Sequence, residues 1–145
     1  MAIVPLRGQY HVEWYPRTAS TAFALGEVVT ILPTAAGVGT LIPATSSSAK
    51  IIGTSLQKVA ATDSDYATAG VMFPVLVGDA DAEYLCLATG TAAATDAGEF
   101  LDLSDSVTVN VASYTYGVME CTQYISATSI ICKMPKKSGP AITTS

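Results

Sequence analysis

Apolar and polar residues alternate along this chain in short runs, and Gly, Pro, Asp or Ser breaks the pattern about every ten residues. The clearest runs are Tyr10–Tyr15, Glu27–Leu32, Lys50–Ser55, Val71–Val77, Glu83–Leu87, Glu99–Leu103, Val107–Val111, Gly117–Ile125 and Thr128–Met134. They are rich in Val, Ile, Thr and Tyr, and at this spacing they predict the strands of a sandwich or barrel. No stretch sustains the i, i+3, i+4, i+7 pattern of an amphipathic helix. A single helical turn is predicted around Thr62-Asp63-Ser64-Asp65-Tyr66, where Thr or Asp would cap it.

The last two runs define a hairpin and its register. A two-residue loop at Ser126-Ala127 places Ile125 opposite Thr128. Counting outward, Gln123 then faces Ile130, Cys121 faces Cys132, and Met119 faces Met134 on one mainly apolar side. The other side sets Tyr124 against Ser129, Thr122 against Ile131, and Glu120 against Lys133, an opposite-charge pair. A slip of one residue would mix the two faces. The cysteines face each other at a hydrogen-bonded position, where side chains diverge more than at the closer sites, so free thiols are expected. Three cysteines with no C-x-x-C spacing signal neither a disulfide framework nor a zinc site.

Ala24-Leu25-Gly26-Glu27-Val28-Val29-Thr30-Ile31 echoes Asp96-Ala97-Gly98-Glu99-Phe100-Leu101-Asp102-Leu103. In both, a glycine turn delivers a glutamate and then an apolar strand, which marks two strand entries. The first 22 residues differ in character. Tyr10, Val12 and Trp14 alternate there with His11, Glu13 and Tyr15, ahead of Pro16. A terminal strand has to pair, either as the first strand of its own barrel or as an arm added to a neighbouring subunit. Residues 1–22 are thus an N-terminal arm or first strand, residues 23–135 a β-barrel domain, and residues 136–145 a flexible tail.

Composition narrows the function classes. Half of the 145 residues are hydrophobic but only 13% are charged, and the mean hydropathy is +0.41. A surface so poor in charge has little repulsion opposing contact, so much of it is expected to be buried against copies of itself or a partner. A net charge of -5 argues against nucleic acid, which needs clustered Lys and Arg. The basic group Lys133, Lys136 and Lys137 reads as a solvated end. No apolar run approaches the length of a membrane span, and Met1–Gly8 lacks the pattern of a secretory signal, so use without export is expected.

Candidate chemistry is sparse, and neither an enzyme nor a cofactor is expected. A Ser-His-Asp site would have to use His11, the single histidine, and no G-x-S-x-G elbow is present. Asp63 with Asp65, and Asp79 with Asp81 and Glu83, have the alternation of calcium ligands, but acidic turn residues explain them as well. Ala36-Gly37-Val38-Gly39-Thr40 has no Lys-Ser/Thr after it and reads as a loop tip. The tyrosines at 10, 15, 66, 84, 114, 116 and 124 are candidates to line a sugar or peptide site, or are ordinary strand residues.

The stretch Lys50-Ile51-Ile52-Gly53-Thr54-Ser55-Leu56-Gln57-Lys58-Val59-Ala60-Ala61-Thr62-Asp63-Ser64-Asp65-Tyr66 resembles a recurring segment of the small head decoration, or cement, proteins of tailed bacteriophages. Val71–Val77, the 92–102 region with Gly98-Glu99-Phe100, Val107–Val111 and the final hairpin fit the same layout, so the resemblance covers about residues 22–135. It implies an all-β, single-domain β-barrel or β-tulip subunit with an extended N-terminal arm. Such a subunit would be made in bacterial cytoplasm and would bind the major capsid protein on the outside of the head, often as a homotrimer. It carries no site motif onto particular residues. Tyr10, Val12, Trp14 and Tyr15, in the N-terminal strand, are the residues expected to make inter-subunit or capsid contacts. The alternative is a receptor- or carbohydrate-binding β module of a fibre or adhesin.

Overall fold

The computed structural model describes residues 3–31 and 39–135. Leu32, the loop tip 36–38 and the tail 136–145 lie outside the described residues. The chain is a small, nearly all-β domain with eleven strands among those residues. They are β1 (Ile3–Arg7), β2 (Tyr10–Pro16), β3 (Val28–Ile31), β4 (Leu41–Pro43), β5 (Gly53–Ser55), β6 (Met72–Gly78), β7 (Glu83–Thr89), β8 (Phe100–Leu103), β9 (Thr108–Asn110), β10 (Met119–Ser126) and β11 (Ser129–Lys133).

Strands β7, β11, β10, β8 and β9 follow one another, and β9 returns to β7 in parallel, which closes a five-stranded barrel. β1 lies antiparallel on the first half of the same β7 edge, with Ile3 opposite Cys86. Inward residues from every strand fill the barrel, among them Ile3, Tyr84, Leu101, Leu103, Val109, Met119 and Ile130. Cys86, Cys121 and Cys132 join them as free thiols, each fully buried. Hydrogen bonds with Cys121 and Cys86, together with burial, push the Cys132 thiol well above its usual range.

The second sheet runs β2-β6-β5-β3-β4 and encloses a second core of Phe23, Val29, Leu41, Val59, Phe73, Val75 and Val77. It curls, so that Arg17, just past β2, bridges in parallel to Leu41 of β4. β3 stands between the two cores. Val28 points into the barrel cluster and its neighbour Val29 into the other, because successive strand residues point to opposite faces. Pro74 sits where the pairing of β5 with Val75 and Leu76 ends: its carbonyl still accepts from Leu56 N–H (3.1 Å), and only the return bond that proline cannot donate is lost.

The hairpin register holds at its base, with Glu120 opposite Lys133 and Cys121 opposite Cys132, but not at its tip. The loop is Ala127-Thr128, one residue later than predicted, and β10 carries two irregularities that shift Gln123 onto Ile131 and Tyr124 onto Ile130. Each bulge adds a residue to one strand and together they absorb the displaced turn. Lys133 Nζ makes its ion pair with Asp81 (3.7 Å). The predicted helical turn at 62–66 is instead a series of tight turns, with N–H···O bonds from Asp63 to Ala60, Tyr66 to Asp63 and Thr68 to Asp65. The Asp63 carboxylate takes the Ala60 N–H (2.9 Å), a local bond that competes with helix. Gly26 and Gly98 both adopt positive φ, 80° and 94°, immediately before the two echoing strand entries.

Asp102 is a buried charge that orders the segment from Ser113 to Gly117. Its carboxylate accepts from the Ser113 hydroxyl (2.6 Å) and from the N–H groups of Thr115 (3.0 Å), Tyr116 (2.6 Å) and Gly117 (2.8 Å). Burial alone would raise its pKa, but these donors outweigh burial and hold it below the usual aspartate value. A depressed carboxylate stabilises the fold above the unfolded-state pKa and loses that contribution as pH falls through the folded value. Asp102→Ala should therefore cost about 3 kcal/mol in denaturant unfolding at neutral pH, and the difference from wild type should shrink in acid. The thiols give a second test. Native protein should react slowly with an aromatic disulfide reagent and release all three equivalents only when unfolded.

Candidate interaction surface

Among the described residues β2 pairs along its length with β6, and on its other side β4 meets it at Arg17, where Leu41 bridges in parallel. Arg17 N–H donates to Val71 (2.9 Å) and Asp79 N–H to Gln9 (3.0 Å), at the two ends of the β2–β6 ladder. Residues 9, 11, 13, 15 and 17 therefore turn their backbone groups toward β6, and Tyr10, Val12, Trp14 and Pro16 turn theirs to the opposite side, where β4 arrives at Leu41. The register is unbroken over all seven residues of β2, from Tyr10 opposite Gly78 to Pro16 opposite Met72.

Side chains alternate with the same period. Val12 and Trp14, 48% and 59% exposed, stand on one face beside Leu76 and Pro74, with Met72 (51% exposed) next to Pro16. Leu56, 38% exposed, follows where its N–H meets the Pro74 carbonyl. Farther along this face the barrel covers the sheet, and Thr54 and Val28 are buried. The exposed stripe is thus the part of the outer face that extends past the barrel. An exposed apolar surface of this kind suits protein contact.

The opposite face of β2 is polar. His11 Nε2 lies 2.6 Å from a Glu13 carboxylate oxygen, and the Tyr15 hydroxyl donates to the other oxygen of Glu13. Burial first, then the hydrogen bond and charge of Glu13, push the Tyr15 pKa up to about 12. Glu13 and Tyr15 also wall a cleft of about 220 Å³, with Lys50, Asp79, Tyr84 and Met134 on its other sides. The cleft has room for a few waters or a small molecule.

The four residues expected at the contact do not form one patch. Val12 and Trp14 lie on the exposed stripe. Tyr10 shares their face but packs edge-on against Tyr84, ring centroids 5.6 Å apart, and its hydroxyl bonds the Arg7 and Glu83 carbonyls. Tyr15 faces the second core. Sequence reasoning missed Met72, Pro74 and Leu76, although their alternation with Phe73, Val75 and Val77 marks them as one face of β6. The paired acids are engaged locally. Asp65 meets the buried Arg17 (3.1 Å), Asp79 takes the Asp81 N–H (3.1 Å), and Glu83 takes Arg7 and Thr122. Arg7 and Thr122 hold Glu83 below the usual carboxylate range. Among the described residues, no group of three or more His, Cys, Asp or Glu side chains is placed to hold a metal ion. No family model matches the chain, and no curated protein matches it.

Burial pushes Tyr84, like Tyr15, up to about 12. A raised phenol pKa contributes stability below the unfolded value near 10 and loses it as pH climbs through the folded value. An alkaline titration read at the tyrosinate absorption should show two components near pH 12, one removed by Tyr15→Phe and one by Tyr84→Phe.

Proposed function

We propose that this chain is a structural subunit that coats the outside of a bacteriophage head, binds the major capsid protein and reinforces contacts between capsomers. The observation that carries the reading is the exposed stripe of Val12, Trp14, Met72 and Leu56 on the outer face of β2 and β6 and the start of the loop after β5. Burying such a stripe against a partner gives free energy roughly in proportion to the apolar area removed from water, and each bound copy stabilises the assembly it binds. The low charge, the barrel and the resemblance of residues 22–135 to cement proteins support the same reading. The function is mechanical and calls for no catalytic set.

The carbohydrate-binding alternative asks for aromatic side chains gathered in one groove. The exposed aromatics are instead divided between the two sheets: Trp14 on β2 in one, and Phe100, Tyr114, Tyr116 and Tyr124 on or beside the paired strands β8 and β10 in the other. A glycan screen with binding above background would favour that alternative.

Ile3 is fully buried and β2 pairs along its length, so the contact is best tested by substitution within the strand rather than by removing it. Trp14→Glu and Met72→Glu should unfold within about 0.5 kcal/mol of wild type, as surface changes do. Both should fail to co-sediment with heads. Quantitative mass spectrometry of purified particles should find the chain at a number comparable with the shell protein, or at a fixed fraction of it. A few copies per particle would point to a tail or fibre, and complete absence would end the capsid reading.

A further inference from the structure

Counted from the predicted loop, Cys121 and Cys132 fall at a hydrogen-bonded position of the β10–β11 hairpin; the structure puts them at the other kind. Cys121 turns its backbone away from β11. Its N–H donates to Glu99 (2.9 Å) and its carbonyl accepts from Gly98 (2.7 Å), both on the β8 side. Cys132 turns away from β10. Ala88 N–H donates to Thr128 (2.9 Å), and by alternation along the ladder Ile130 and Cys132 give their backbone groups to β7, opposite Cys86 and Tyr84. The displaced loop is the cause. With Ser126 closing on Ser129, the odd-numbered residues of β11 serve β10 and the even-numbered ones serve β7. Cys121 and Cys132 are therefore directly opposed with no backbone hydrogen bonds between them.

We propose that Cys121 and Cys132 are a modification site, where oxidation by a peroxide forms a cross-strand disulfide and leaves Cys86 as the one free thiol. Opposed residues at a non-hydrogen-bonded position stand about 4.5 Å apart at Cα with their side chains close, a separation that a disulfide spans. Both side chains point into the barrel core, and their thiols are in hydrogen-bond contact. Cys86 also touches Cys132 through its thiol, but its backbone is placed differently. It lies opposite Ile130, so it is diagonal to Cys132 at about 7–8 Å, which a bridge spans only if the backbone moves. From Cys121 it is separated by the whole of β11.

All three thiols are buried, so the oxidant has to be small, and hydrogen peroxide is little larger than water. The irregularity between Cys121 and Gln123 interrupts the ladder beside the first sulfur, where local opening admits it. The hydrogen bond with Cys132 lowers the Cys121 thiol below its usual range, so Cys121 reacts first. Its thiolate attacks one peroxide oxygen, the O–O bond breaks, and the departing hydroxide takes a proton to become water. Cys121 is then a sulfenic acid. The Cys132 sulfur attacks the Cys121 sulfur, the S–S bond forms, and the S–O bond breaks to release a second water with the Cys132 proton. Two thiols have lost two electrons, and one peroxide has become two waters. The bridge ties β10 to β11 across the barrel interior after the strands are already aligned. It shares no residue with the stripe proposed as the head contact, so the two readings stand or fall separately.

The test counts thiols before and after oxidation. Reduced, folded protein treated with hydrogen peroxide, quenched and then unfolded should show one free thiol in place of three. Chymotryptic cleavage after Tyr124 separates the two cysteines, so mass spectrometry should find their peptides linked, with the Cys86 peptide unlinked. The melting temperature should rise by about 5–10 °C and return when a phosphine reduces the bridge. Cys132→Ala should show neither the bridge nor the rise, and Cys86→Ala should show both. If a variant does not fold, the thiol count and peptide map of the wild type decide. Three thiols after peroxide, a bridge that includes Cys86, a bridge between chains, oxidation that ends in sulfinic acid, or a linked pair that lowers the melting temperature overturns the proposal.

Discussion

The structure depends on how β7 shares its edges. One edge takes β11 along Glu83–Leu87. The other is divided, with β1 antiparallel on the first half and β9 parallel on Leu87–Thr89. Only with β9 there does the ring of strands close, and a closed ring leaves no unpaired backbone inside the sheet. β1 then covers what β9 leaves open, and its Ile3 plugs the barrel core beside Cys86. The N-terminus is therefore part of the fold's closure.

That closure fixes where β2 must lie. The chain leaves β1 at Arg7 and enters the second sheet at Tyr10, so the crossing is made by Gly8 and Gln9. A Cβ on Gly8 would stand 2.6 Å from the Ala82 backbone, so the crossing passes too close for any larger residue. Tyr10 seals the junction by reaching back to the Arg7 and Glu83 carbonyls and packing on Tyr84. Past that anchor, β2 runs along the outside of β6, and its outer face emerges from the shelter of the barrel at Val12 and Trp14. The exposed apolar stripe follows from closing one sheet and curling the other.

The same arrangement accounts for a low-charge chain that still has charges in critical places. Asp102 is buried with four donors around it, and Glu27 ties the Ala24 N–H and the Ser106 hydroxyl to the start of β3. Arg17 is buried against Asp65, at the point where β2 meets β4. These charges organise loops between the sheets, and little is left to keep the outer stripe wet and repulsive.

Much of this was legible in the residues. Period-two alternation located most strands, and apolar–polar bookkeeping aligned Cys121 with Cys132 because only one register keeps a face buried. Glycines ahead of Glu27 and Glu99 marked strand entries because a turn there needs positive φ. β1 went unread because Pro5 looks like punctuation until the strand is known to be an edge. The hairpin loop was misplaced by one residue because bulges, which respond to twist and to neighbouring strands, leave no local sequence mark. Sequence alone determined an all-β chain with an apolar, weakly charged exterior and an N-terminal strand in need of a partner, since these rest on local periodicity and composition. Which partner β2 takes within the chain, and that Trp14 is exposed while Tyr10 is anchored, were decided by tertiary structure alone, because strand pairing is a non-local choice among segments that look alike.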